Sequence, residues 1–200
     1  MAGPQEMGQP RTIRQRMPRA QRREQILAAA THAFARAGFA DTSLDDVAAE
    51  AGVTRVILYR HFDSKAELYR ALLDRAFTRL AEKVGTDDFG DDALPALLET
   101  AAEDPDAFRL LFRFAARERE FRDLTDTLAA ASAEVTHRNL AKQLPPGPWL
   151  DWAASLIPTL TTEAVIAWLD AGQPDPDQAP ARIRAAVHGV IDAAATENLG

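Results

Sequence analysis

The sequence predicts an all-α fold, and three observations carry that expectation. Apolar residues recur at spacings of three and four along most of the chain, which is the period of one helix face. No stretch of useful length alternates apolar and polar residues as a half-buried strand does. Residues 42–68, TSLDDVAAEAGVTRVILYRHFDSKAEL, hold three helix-start signals and one turn signal in close succession.

Taken in order, residues 1–20 contain Gly, Gln, Pro and Arg with little apolar content, the composition of a flexible arm. A first helix is expected to begin between Pro18 and Gln21. It carries Ile26, Ala30, Ala33, Phe34 and Ala37 on one face and ends at Gly38. Ser43 followed by Asp46 is a capping-box pattern: the hydroxyl accepts from a free first-turn amide, and the carboxylate suits the positive helix end. Gly52 suits the left-handed turn that closes this second helix, and Thr54 caps a third. Ser64 with Glu67 repeats the device before a fourth helix, Lys65 to about Val84, whose inner face is Leu68, Leu72, Ala76 and Leu80. GTDDFGDD then breaks the chain. Pro105 opens a helix with Phe108, Leu111, Phe112 and Ala115. An Ala-rich helix from about Arg122 to Leu144 stops at Pro145-Pro146-Gly147-Pro148. Two helices close the chain: residues 148–171, apolar on more than one face, and residues 177–197, with Ile183, Val187, Val190, Ile191 and Ala194 on one side.

Charge divides the chain. Residues 1–65 hold ten Lys and Arg against seven Asp and Glu, whereas residues 66–200 hold thirteen against 23, which together give the net charge of -7. A basic head on an acidic body suits a protein that meets DNA at one end only. Absence of cysteine excludes disulfides, thiol redox sensing and thiolate zinc sites. No uninterrupted apolar run approaches the roughly 18–20 residues of a membrane span, and no apolar stretch follows the N-terminal arginines as in a secretory signal. A cytoplasmic protein without membrane contact is expected. There is no GxSxG, HExxH or phosphate-loop pattern, and the four histidines lie far apart, so neither catalysis nor a cofactor or metal is expected.

Two short helices joined by Ala51-Gly52-Val53, with another close on each side, read as a helix-turn-helix whose second helix enters a DNA major groove. From Arg23 to Leu73 the chain also resembles the TetR family of bacterial transcriptional regulators. The residues carrying the likeness are Ile26, Ala30, Phe34, Gly38, Phe39, Thr42, Val47, Ala48, Gly52, Val53, Leu58, Tyr59, Phe62, Ser64, Lys65 and Leu68. Val56 departs from the small residue usual in that family, and Ile57 from its usual Thr, Ser or Ala, which removes one polar DNA contact. The resemblance implies a DNA-binding domain at residues 21–65 behind the arm of residues 1–20. It further implies an effector-binding and dimerisation domain at residues 66–200. A repressor released from a palindromic operator by a small molecule is the function it implies. An activator, or a binding module without effector, is the alternative.

Leu58 and Phe62, four apart, are expected to face inward on the recognition helix, turning Arg55, Tyr59 and Arg60 outward. Arg55 or Arg60 either reads a guanine with two parallel hydrogen bonds or neutralises phosphate. Tyr59, His61, Lys65, Thr42, Ser43 and Thr54 are the phosphate-positioning candidates, with a packing role for His61 as the alternative. Val56 either touches a thymine methyl or packs. Arg11, Arg14 and Arg16, followed by Arg19, Arg22 and Arg23, make a basic arm for the minor groove or the phosphates. The resemblance places dimerisation on the last two helices, with Leu156, Leu160, Trp168, Ile183, Val187, Val190 and Ile191 as interface residues and Ala186, Gly189 and Ala193 allowing close approach. It also implies an effector pocket, for which Phe108, Phe112, Phe114, His137, Trp152 and Thr161 are candidates, each aromatic being equally suited to plain core packing.

Overall fold

The computed structural model describes residues 17–196, and Arg11, Arg14 and Arg16 lie outside that range. Among the described residues the structure is helical, without strands: α1 Arg19–Asp41, α2 Leu44–Glu50, α3 Arg55–Tyr59, α4 Lys65–Val84, α5 Ala93–Glu103, α6 Pro105–Arg109, α7 Arg122–Leu140, α8 Pro148–Asp170 and α9 Ala179–Ala195. Ile26, Ala30, Ala33 and Phe34 of α1 are buried as the spacing requires, whereas Ala37 is exposed. Gly38 leaves helical geometry at φ 82°, and the chain turns there towards α2.

α4 joins head to body. Its Leu68, Tyr69, Leu72 and Leu73 are buried against α1, and one continuous apolar cluster runs from Ile26, Leu58 and Phe62 to Leu111, Phe121, Ile166 and Ile183. Burying side chains of this size stabilises by roughly 1.5–3 kcal/mol each, so the head is held on the body by the same core that folds it. A second cluster, Leu140, Leu144, Leu150, Ala153, Ala154, Ile157 and Ala194, lies at the other end of α7, α8 and α9.

Two features were not visible in the apolar pattern. α5 lies behind the acidic loop with Pro95 in its first turn, where a missing N–H costs nothing, and it buries Leu98 and Ala101. After α6 the helix widens into a π-turn at Leu110–Phe114 and tightens into a 3₁₀ turn at Ala115–Arg117. The extra residue carries Leu110 inward beside Leu111, which a strict helical period would keep apart from it.

α8 is long and apolar enough, by length and composition alone, to cross a bilayer, although Asp151 and Glu163 interrupt its apolar run. Leu150, Ala153, Ala154, Ile157, Val165, Ile166 and Leu169 are buried within the bundle, which is the ordinary reason for a helix apolar on several faces.

Candidate nucleic-acid interface

Local hydrogen bonding builds the site. The Ser43 hydroxyl accepts from the Asp46 amide at 3.1 Å, and the Asp46 carboxylate accepts from the Ser43 amide at 2.9 Å, closing the capping box of α2. The Ser43 hydroxyl also donates to that carboxylate at 2.6 Å, and these bonds hold the Asp46 carboxyl below its usual range. Gly52 adopts φ 62°, letting the Val53 amide reach back to the Ala48 carbonyl at 3.0 Å. Thr54 then caps α3 by accepting from the Ile57 amide at 3.3 Å. At α4 Ser64 caps Glu67 as expected, but the Glu67 carboxylate accepts from Asp63 rather than from Ser64 itself.

The result is a short helix with two unlike sides. Leu58 and Phe62 are fully buried, while Val56 is 63% exposed and Tyr59 40% exposed, with Thr54, Arg55 and Arg60 on the same open surface. Arg55 is tethered there: it bonds Asp45 at 3.0 Å, reaches the Tyr59 hydroxyl at 3.4 Å and lies over the Tyr59 ring. The Tyr59 hydrogen bond and then Asp45 raise its already high pKa, so the guanidinium carries full charge. His61 is half-buried in the turn after α3, where burial and then Arg19, Arg23 and Arg22 lower its pKa.

One predicted contact is corrected, and a second has partners within the free protein. Thr42 is buried, and its hydroxyl donates to the Gly38 carbonyl at 2.7 Å, so this side chain closes the α1 turn instead of facing a phosphate. The Lys65 ammonium donates to the carbonyls of Phe39 and Ala40 and lies over the Phe39 ring. In the free protein these bonds hold it at the end of α1. Arg19, Arg22 and Arg23 also differ from expectation, because they belong to the first turns of α1 and not to a flexible arm.

One positioning residue escaped the sequence reading. Gln25 accepts from Arg22 at 2.8 Å and donates to the Ala51 carbonyl at 2.7 Å, tying α1 to the turn between α2 and α3. A glutamine beside an apolar stripe gives no signal of this kind.

The effector candidates are not brought together. Phe108 and Phe112 are 4.7 Å apart, but Phe108 lines a cleft of only about 30 Å³ between α4 and α5–α6, together with Arg75, Leu80, Thr100 and Leu111. Phe114 is half-buried against the main core, His137 pairs with Asp151 at 3.2 Å, and Thr161 bonds its own helix at Ile157. Trp152 stands exposed against Trp149. A site for a molecule of drug size, usually 300–1,000 Å³, is not formed by these six residues. Among the expected interface residues, Ile183 is corrected: it is buried in its own chain's core. Val187, Val190 and Ile191 pack partly on the second cluster, Trp168 packs on the main core and donates to the Pro174 carbonyl, and Leu156 and Leu160 are half-exposed.

A capped two-helix turn with an exposed, partly basic second helix defines a helix-turn-helix DNA-binding domain. Residues 26–72 match the family described as bacterial regulatory proteins, tetR family. The chain is 44% identical over 69 residues to the transcriptional activator FasR of Mycolicibacterium smegmatis, a match covering 34% of this chain and 32% of that protein. It is 35% identical over 88 residues to the transcriptional repressor SCO4008 of Streptomyces coelicolor, covering 44% of this chain and 46% of that one. The matches thus span less than half the length of these relatives. A TetR-like transcriptional regulator from Rhodococcus sp. RHA1 superimposes with a TM-score of 0.75 at 24% identity, over 86% of this chain and 96% of that one. That likeness extends the shared fold through the helical body.

Proposed function

We propose that the protein is a sequence-specific, DNA-binding transcriptional regulator that acts in the cytoplasm as a homodimer and performs no catalysis. The observation that carries this reading is α3: a helix capped at Thr54, anchored by Leu58 and Phe62, that leaves Arg55, Val56, Tyr59 and Arg60 open to a groove. Ser43, Thr54 and His61 lie beside it as phosphate-positioning groups. Two copies related by a two-fold axis would present two such helices to a palindromic operator, about one helical turn or roughly 34–36 Å apart. Release by a small-molecule effector is the finer reading, with residues 66–200 as the receiving body. Relatives bear the names of both an activator and a repressor, so the sign of regulation belongs to promoter geometry.

Selection of bound duplexes from a random-sequence pool, followed by footprinting, tests the reading. A two-fold symmetric site supports it, and a single unsymmetric half-site at saturation overturns the dimeric mode. Arg60→Ala is expected to relax preference at one base position, whereas Tyr59→Ala weakens binding to all sequences.

A further inference from the structure

Four basic side chains on the DNA-facing side have no acidic partner among the described residues: Arg19, Arg22 and Arg23 on the first turns of α1, and Arg60 at the end of α3. Arg23 is held over the Phe62 ring at 4.7 Å, and Arg22 is held by the neutral amide of Gln25. The His61 ring lies 6.5 Å from the Phe62 ring that carries Arg23, on the side of the head that bears the α1 arginines.

The charged and titratable groups on the elements around His61 are Arg19, Arg22 and Arg23 on α1, Tyr59 and Arg60 on α3, and Asp63, Lys65 and Glu67 leading into α4. The acids do not offset the arginines at the imidazole. Glu67 is bound to the Asp63 amide at 2.6 Å, and neither acid forms an ion pair with His61. Lys65 is held on the α1 carbonyls. The imidazole therefore lies in the positive field of the α1 arginines in the free protein, a condition that a bound phosphate reverses.

We propose that Arg19, Arg22, Arg23 and His61 form one phosphate-binding site whose occupation takes up a proton on His61, making DNA affinity rise as pH falls. This rests on the DNA-binding reading above. The physical logic is linkage. In the free protein, burial and the three arginines disfavour imidazolium. A phosphate oxygen at the same place neutralises the arginines and accepts a hydrogen bond from the protonated ring, so the complex holds more protons than its parts. Affinity then increases as pH falls through the histidine range and levels off once the free protein is itself protonated. A purely steric or packing role for His61 has no such dependence.

The test uses the full chain and a duplex selected by that chain from a random-sequence pool. Binding is followed by fluorescence anisotropy between about pH 5.5 and 8, where histidine titrates, at fixed ionic strength. The expected result is a slope of log affinity against pH approaching about one proton per subunit. His61→Gln keeps a hydrogen-bonding side chain but cannot titrate, and it abolishes the slope. His61→Lys is charged throughout and binds without pH dependence. His32→Asn, remote from the site, leaves the slope in place. An unchanged slope in His61→Gln, or a flat wild-type profile, overturns the proton-linked site while leaving DNA binding intact. Absence of duplex binding at every pH overturns the regulator reading instead.

Discussion

The side-chain amide of Gln25 donates to the backbone carbonyl of Ala51 at 2.7 Å, across 26 residues of sequence. Through this bond α1 grips the last turn of α2 directly before Gly52, the residue that sets the angle between α2 and α3. Gln25→Ala is expected to destabilise the protein by about 1 kcal/mol, the usual net value of one such hydrogen bond. DNA affinity should fall further than stability alone explains, because α3 loses a fixed orientation. Urea unfolding alongside duplex binding checks this; equal affinity in a measurably destabilised variant would show that Gln25 supports the fold only.

Ser43 makes a second, pH-dependent prediction. Ser43→Ala removes the capping box of α2 and should cost about 1 kcal/mol at neutral pH, typical of a lost serine cap. The Asp46 carboxyl lies below its usual value of 3.8 because Ser43 hydrogen-bonds to it, first through the hydroxyl and then through the backbone. Its contribution is therefore fully present above that value and is lost as pH falls through the lower, folded value. The gap between wild type and Ser43→Ala should narrow under acid to the part due to the Asp46 amide bond to the hydroxyl, which does not titrate. Parallel stability profiles down to the acid transition would remove Asp46 from the account.

Much of this head was legible because its signals are local. Ser43, Gly52, Thr54 and Ser64 act on amides within a few residues of themselves, so their spacing alone specifies what they bond. Leu58 and Phe62 were readable for the same reason, since a face is defined by period. Some polar contacts were not readable: Thr42 carries the type of side chain that suits a phosphate, and only the turn at Gly38 shows that its hydroxyl goes to the carbonyl four residues back. The partners of Lys65 were hidden because the Phe39 and Ala40 carbonyls that take its ammonium lie 25 residues and more away in sequence. The π-turn at Leu110–Phe114 kept the face that the spacing had suggested, with Phe108, Leu111 and Ala115 buried, and added Leu110 to it. The six effector candidates are spread over separate surroundings because aromatic spacing does not distinguish a pocket from a core.

Tyr69 offers a test of the join between head and body. It is fully buried among Phe34, Phe39 and Phe121, and its hydroxyl has no hydrogen-bond partner. Burial, and then Glu118, push its pKa upward, so the phenol stays neutral. A buried donor without a partner costs roughly 1–3 kcal/mol, and removing the oxygen while keeping the ring recovers part of it. Tyr69→Phe should accordingly be as stable as wild type or more stable by up to about 1 kcal/mol. Tyr69→Ala, which empties a packed aromatic site, should cost about 3–5 kcal/mol. Denaturant midpoints with unchanged slope measure both, and a Tyr69→Phe protein less stable than wild type would mean that the hydroxyl is satisfied in solution.

The final prediction concerns α9 and the proposed dimer. Val187, Val190 and Ile191 turn towards the cluster formed with α7 and α8, so a charge at Val190 would damage the fold of one chain as well as any pairing. Ala186, Gly189 and Ala193, spaced three and four apart, are exposed and form a stripe flanking that face. A side chain added at Gly189 meets nothing within 4 Å in the single chain. Within a helix, replacing Gly also removes backbone freedom from the unfolded state, worth about 0.5–1 kcal/mol for Ala. Gly189→Glu should therefore leave an isolated subunit folded and no less stable. If two copies pack through this stripe, the same substitution brings a carboxylate into the contact twice, because a two-fold axis duplicates every change. Sedimentation of Gly189→Glu should then show monomers with the helical content of wild type, and duplex affinity should drop because the two recognition helices are no longer held at a fixed spacing. Wild-type association by Gly189→Glu would place the contact on another face, with the exposed Trp149 and Trp152 of α8 as the next residues to alter.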